Sequence, residues 1–525
     1  MRKITALSLA LALIIAMSFA GCRSNTSDAS SGETATAVTQ TEKSSINVLY
    51  CASDSFNPYS AATKLNRELA TLIFEPLVRL DNNFTPVYRL ASSVTVEGAR
   101  CTAVLKDAVF SDGSAVTASD VVYSFNLAKG SATEYASQLY EAASATAADS
   151  KTVVFNLTRY DPYFVNVLDF PIIKSGSEKQ TDADGVALPP TGCGRYSVGE
   201  TRDKLLINDK FFGEKGSITT INLINAPDYE SVSHYVEIGA ADIYYSDISD
   251  GTLSRMSGNK TNINLNNIVY IGVNHTYGAL SSPYMRYAIS SALDRKKICA
   301  EAFYSNAAAA TGFFNPVWKD VKSVQNIQTT ADKEITVENL EKIGYNSLDS
   351  SGVRVGAGGR LSFTLLVNSE NRTRVNAARL IAENLGAVGI SVSVVERPYA
   401  EYAAALAAGD FQLYLAEVKL TDNMDISNLV VPGGSTAYGI VPPVTEPSED
   451  GSETEKPAGT ADIINGFYGG ANTINDVAMI LQTEMPIIPV CYRTGALFRN
   501  KGIGNAKGSS HDDVFYSIES FTIKK

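Results

Sequence analysis

Cys22 is the side chain whose type and setting point most directly to a covalent reaction. It stands in the run Ala16-Met17-Ser18-Phe19-Ala20-Gly21-Cys22, behind Arg2, Lys3 and an apolar stretch from Ile4 to Ala20. A positive start, a short apolar core and small residues before a thiol make a bacterial export signal, with Cys22 as the acceptor of a diacylglycerol. Phe19 departs from the leucine usual three residues before such a cysteine. The apolar stretch is short for a membrane span, which needs roughly 20 residues. Residues 1–21 are therefore expected to be a signal peptide. Residues 22–45, rich in Ser, Thr, Ala and Gly, are expected to be a tether too poor in apolar surface to offset the entropy of ordering. Lipid-anchored placement on the extracytoplasmic face of the cell membrane follows as an expectation.

Other reactive arrangements are sparse. The three histidines, His234, His275 and His511, have no metal spacing among them. There is no Gly-x-Ser-x-Gly elbow, no phosphate-cradling loop and no His-Glu-x-x-His. Asp422 and Asp425 lack the rest of a calcium loop. No catalytic residue, metal or cofactor is expected, and a passive receptor fits better than an enzyme. Cys51, Cys101, Cys193, Cys299 and Cys491 are widely spaced and read as buried thiols more readily than as a disulfide framework. The net charge of −12 and the lack of any long Lys/Arg cluster argue against nucleic acid.

The elements that must position any site are legible as periodicity. Ile46–Tyr50 reads as a first strand, and Ser53–Tyr59, with Pro58, as a loop. Lys64–Phe74 has helical spacing of Leu65, Leu69, Leu72 and Ile73, and Pro76 should end it. Arg100–Leu105 and Lys151–Leu157 read as strands. Thr117 should cap the helix between them, with Asp120 near its positive end. One helix is expected from Ser282-Pro283 to Ala302 and another over Arg374–Val388. Strands at Leu361–Val367 and Ile390–Val395 flank the latter, a β-α-β unit that implies a parallel or mixed sheet. Val441–Pro457, with Pro442, Pro443, Pro447 and Pro457, reads as an exposed insertion.

Ordered motifs then carry a resemblance. Val109–Ser124 contains Phe110-Ser111-Asp112-Gly113 and Thr117-Ala118-Ser119-Asp120-Val121. Thr191-Gly192-Cys193-Gly194-Arg195-Tyr196 follows, then Gly239-Ala240-Ala241-Asp242. Asn274, the helix Met285–Ile298 with Asp294-Arg295, Gly409-Asp410-Phe411-Gln412-Leu413 and Glu484–Val490 complete the series. In this order they resemble the family 5 solute-binding proteins of peptide, dipeptide and nickel ABC importers, from about Ile46 to Lys525. The resemblance implies an α/β, two-lobe periplasmic-binding-protein-like (type II) fold with an inserted subdomain and a hinge cleft. It places the first lobe at 46–75, 191–284 and 487–525, the inserted subdomain at 76–190 and the second lobe at 285–486.

The same resemblance implies a monomeric receptor that captures peptides and delivers them to permease and ATPase subunits. A nickel chelate or other small solute is the alternative ligand. A surface sensor or adhesin, or an extracellular hydrolase, is the alternative of another class. The family's acidic residue for a ligand α-ammonium falls on Asp422, with Lys419 where a tryptophan is usual. Asn274, His275 and Tyr277, after the strand Ile268–Val273, and Ser55 and Phe56, after the first strand, are further candidates for ligand contact.

Overall fold

The computed structural model describes residues 44–247, 258–442, 458–505, 509–510 and 513–523. Cys22, the signal, the tether and nearly all of the Val441–Pro457 segment lie outside the described residues. Among the described residues, no helix is long and apolar enough to cross a membrane.

One 11-stranded sheet runs through the molecule. At one end lie Ser391–Arg397, Ser362–Asn368 and Leu413–Lys419, mutually parallel where they pair. At the other lie Ile243–Ser246, Ser45–Tyr50, Thr220–Asn225, Lys204–Ile207 and Tyr196–Val198. Two long antiparallel strands, Asn259–Val273 and Ile487–Arg499, join the halves. Their register slips between Asn264 and Ile268. The apolar side chains change allegiance at that slip. Ile263, Leu265 and Leu497 belong to one core, whereas Ile268, Val269 and Tyr492 belong to the other. Two cores joined by two strands are the physical content of the two-lobe expectation.

The first core extends into a four-stranded antiparallel sheet, Ala91–Glu97, Arg100–Leu105, Thr152–Leu157 and Ala142–Ala147, covered by the helix Ala118–Gly130. That helix starts as its sequence dictates. Asp120 accepts from the Thr117 backbone N–H at 3.0 Å and from Thr117 Oγ1 at 2.7 Å. It also accepts from the Ser175 N–H at 3.0 Å, so the cap ties a distant loop to the helix end.

Most expected elements stand within a few residues of their sequence positions, with one correction. The single helix expected from Pro283 to Ala302 is two helices, Pro283–Ser291 and Arg295–Glu301. Asp294 breaks it by serving as an N-cap, accepting from the Lys297 N–H at 2.9 Å. Arg295, fully buried, then donates to the Pro489, Ser290 and Gln328 carbonyls. This part of the motif fixes helix packing. The Thr191–Tyr196 motif has an equally structural reason. A Cβ on Gly194 would lie 2.4–2.6 Å from the Ile73 and Leu72 backbone, and one on Gly192 would lie 2.1 Å from the Ile73 oxygen. The turn packs backbone to backbone against the end of the helix Lys64–Ile73. Cys51, Cys101, Cys193, Cys299 and Cys491 are buried and free.

Candidate functional site

The register slip opens a polar gap in an otherwise apolar strand. Asn266 and Asn267 occupy it, and both line a cavity of about 320 Å³ between the lobes. Four other elements contribute to its walls. The helix Lys64–Ile73 supplies Lys64, Arg67 and Glu68, and the end of Ile243–Ser246 supplies Tyr245 and Asp247. The short helix Glu134–Gln138 supplies Glu134 and Gln138. The end of Leu413–Lys419 and the loop after it supply Lys419 and Asp422.

Asp422 is 1% exposed. Gln138 Nε2 donates to its Oδ2 at 3.1 Å, and the Asp422 backbone N–H donates to Gln138 Oε1 at 2.9 Å. Asn166 Nδ2 holds the Asp422 carbonyl at 3.0 Å. The loop turns through Met424, whose φ of 62° is unusual for a residue with a side chain. It is anchored by Asp425, which Arg159 meets at 2.6 Å and to which the Tyr140 hydroxyl also donates. Burial works to raise the Asp425 pKa, but hydrogen bonds from Ser427 and Tyr140 and the Arg159 charge outweigh it and hold the pKa low. The Arg159 guanidinium lies 3.4 Å from the centre of the Tyr468 ring. Beside it, Asn423 Nδ2 donates to the fully buried Asp161 at 2.7 Å. Burial pushes the Asp161 carboxyl up to about 6, despite the bonds from Asn423 and the Tyr163 N–H.

Lys419 forms an ion pair with Glu134 across the same cavity. Burial opposes its charge, but Glu134 and Asp422 more than offset that and raise its pKa. Lys64 pairs with Asp247 at 2.8 Å and sits 4.1 Å over the Tyr245 ring.

The structure thus brings Asp422 and Lys419 together in one cavity and places the other candidates apart from its lining. Lys419 pairs with Asn267 and Leu413 with Val273, so Asn274 lies about 20 Å along the strand from the cavity end. Asn274 Nδ2 donates to the Phe411 carbonyl at 3.0 Å and to the Gly409 carbonyl at 3.4 Å. His275 Nε2 lies 2.9 Å from the Pro486 carbonyl, and burial with the nearby Arg286 charge lowers its pKa to about 4. Tyr277 is half exposed at the surface. Ser55 gives its carbonyl to Asn66 Nδ2 at 3.1 Å, and Phe56 stacks on Tyr50 with ring centres 6.1 Å apart. Their loop reaches the cavity through Pro58.

Gln138, Glu134, Glu68 and Asn266 were not singled out from sequence. For Asn266 a signal existed: Asn264, Asn266 and Asn267 interrupt a run that is otherwise apolar from Ile263 to Val273. For Gln138 there was none, because its partner lies 284 residues away.

Comparison with known proteins agrees with this architecture. Residues 85–439 match the family described as bacterial extracellular solute-binding proteins, family 5 middle. The oligopeptide-binding protein AppA of Bacillus subtilis (strain 168) is 23% identical over 412 residues, covering 74% of this chain and 76% of AppA. The unliganded open form of the periplasmic murein tripeptide binding protein MppA superposes with a TM-score of 0.72 at 18% identity, covering 92% of this chain and 98% of MppA. NikA of Brucella suis, in complex with Fe(III)-EDTA, superposes with a TM-score of 0.66 at 19% identity, covering 91% of this chain and all of NikA. The fold is that of the type II periplasmic binding proteins. With its two cores, hinge strands and interlobe cavity, the chain belongs to the family 5 bacterial extracellular solute-binding proteins.

Proposed function

We propose that the protein captures short peptides in the cavity between its lobes and delivers them to the permease of an ABC importer, held to the outer face of the membrane by a lipid on Cys22. The observation that carries the ligand reading is the placement of Asp422 in the wall of the interlobe cavity. A buried carboxylate at a cleft suits an α-ammonium, which cannot leave water without a charged partner. In the structure its Oδ2 accepts a neutral amide from Gln138. A ligand ammonium would compete for that oxygen as the stronger donor, since charge-assisted hydrogen bonds are roughly twice as strong as neutral ones. Peptide binding by AppA and MppA, as their names state, supports the reading. The cavity volume lies at the small end of the roughly 300–1,000 Å³ range of ligand sites, which favours short peptides.

Among the described residues no group of three or more His, Cys, Asp and Glu side chains could hold a metal ion. The mass spectrum of ligand released from protein purified without refolding tests the proposal. Peptide masses are expected; a metal chelate or a non-peptide solute would replace the peptide reading.

A further inference from the structure

We infer that the cleft carries a second cation site, built on Glu68, that selects peptides bearing a basic side chain. The inference rests on the peptide reading above and goes beyond it by naming the ligand's chemistry.

Five carboxylates line the cavity against three cationic side chains. The cations are already engaged. Lys64 holds Asp247 at 2.8 Å, Lys419 holds Glu134, and Arg67 Nη1 donates to the Ala62 carbonyl at 2.6 Å. Glu68 differs from the other acids. Its carboxylate makes no hydrogen bond and no ion pair among the described residues. On its own helix it feels Lys64 and Arg67, and from the neighbouring strand end Asp247. Tyr245, Glu134, Lys419, Asp169 and Asp422 line the same cavity.

A second, independent feature is Asn266. It is fully buried, lines the same cavity, and its Oδ1 accepts no hydrogen bond. Its Nδ2 is committed to the Thr421 carbonyl at 3.1 Å and the Leu420 carbonyl at 3.4 Å, so the oxygen alone is left to accept. A buried acceptor without a donor costs about 1–3 kcal/mol. The same cavity is thus lined by a carboxylate without a donor and by Asn266, whose buried amide oxygen also lacks one. An ammonium or guanidinium supplies several N–H groups and a compensating charge.

Burial raises the Glu68 carboxyl to about 7, with Lys64 and Arg67 opposing the rise and Asp247 adding to it. In the empty cleft near neutrality it is therefore shared between its neutral and charged forms. A cation entering beside it favours the charged form, and the carboxyl proton leaves to solvent.

The test is calorimetry on the protein produced from the full chain. The probes are three alanine tripeptides with a single lysine at the first, second or third position, each against its norleucine counterpart of equal shape. At least one lysine peptide is expected to bind roughly tenfold tighter than its counterpart, and Glu68→Gln is expected to abolish that preference. Titration in two buffers of different ionisation enthalpy at about pH 6 should show proton release by wild type, absent at about pH 8.5, a readout that needs no variant. Equal affinities for every lysine and norleucine pair, with no proton release, overturn the site. Binding by none of the six peptides overturns the peptide reading itself, and this inference with it.

Discussion

Gln138 and Asp422 grip each other across the cleft with a reciprocal pair of hydrogen bonds, amide to carboxylate at 3.1 Å and backbone N–H to amide oxygen at 2.9 Å. Gln138 ends a short helix packed on the first core, and Asp422 stands in a loop packed on the second. The contact therefore both closes the lobes and caps the acid proposed for the ligand ammonium. Gln138→Ala leaves that carboxylate buried without its amide. A loss of about 1–3 kcal/mol in urea unfolding is expected, and peptide affinity should rise as the competing donor is removed. Unchanged stability would show that the pair contributes nothing to the stability of the folded protein.

The buried Asp161 makes stability fall as pH rises. Its folded pKa of about 6 lies above the ordinary carboxylate value of 3.8, so the folded state holds its proton longer than the unfolded chain does. Its contribution is fully present below about pH 4 and is lost as pH climbs through about 6. The stability of wild type relative to Asp161→Asn should drop by on the order of 2–3 kcal/mol across that window. A difference that stays flat between those pH values would contradict the assignment.

Gly194→Ala must push a Cβ into the backbone of Ile73 and Leu72. Overpacking of this kind costs about 1–3 kcal/mol, and here neither partner is a flexible side chain that can swing away. A midpoint of thermal unfolding equal to that of wild type would show that the turn can shift.

Cys22→Ser tests the anchor. The substituted protein should appear in the medium or stay unprocessed, as followed by cell fractionation. Normal cleavage with unchanged membrane retention would show that another element holds the protein.

Local chemistry explains what was legible in advance. The Thr117–Asp120 cap, the strand Ser45–Tyr50 and the parallel pair Ser362–Asn368 and Ser391–Arg397 depend on neighbours in sequence, and each stands within two residues of its expected place. The break at Asp294 was hidden because the apolar spacing of Met285, Ala288, Ile289 and Ala292 continues through Ile298, and only the capping geometry interrupts it. In the cleft, the resemblance led to Asp422 and Lys419, which share the cavity. Their partners Gln138 and Glu134 were unreadable, because the fold joins segments 284 and 285 residues apart. Asn274 and His275 follow the end of the strand, about 20 Å beyond the register slip in its middle, where the cavity forms.

Recognition of a peptide's amino end by Asp422 is the central claim, and calorimetry with one tripeptide in free and N-acetylated forms tests it most directly. Acetylation removes the charge and leaves the rest of the ligand intact. Affinity should fall by orders of magnitude, because breaking a buried charge pair costs roughly 3–5 kcal/mol, and Asp422→Asn should erase most of the difference. Equal affinities of the two forms for the wild-type protein would show that no ammonium is recognised and would contradict the account.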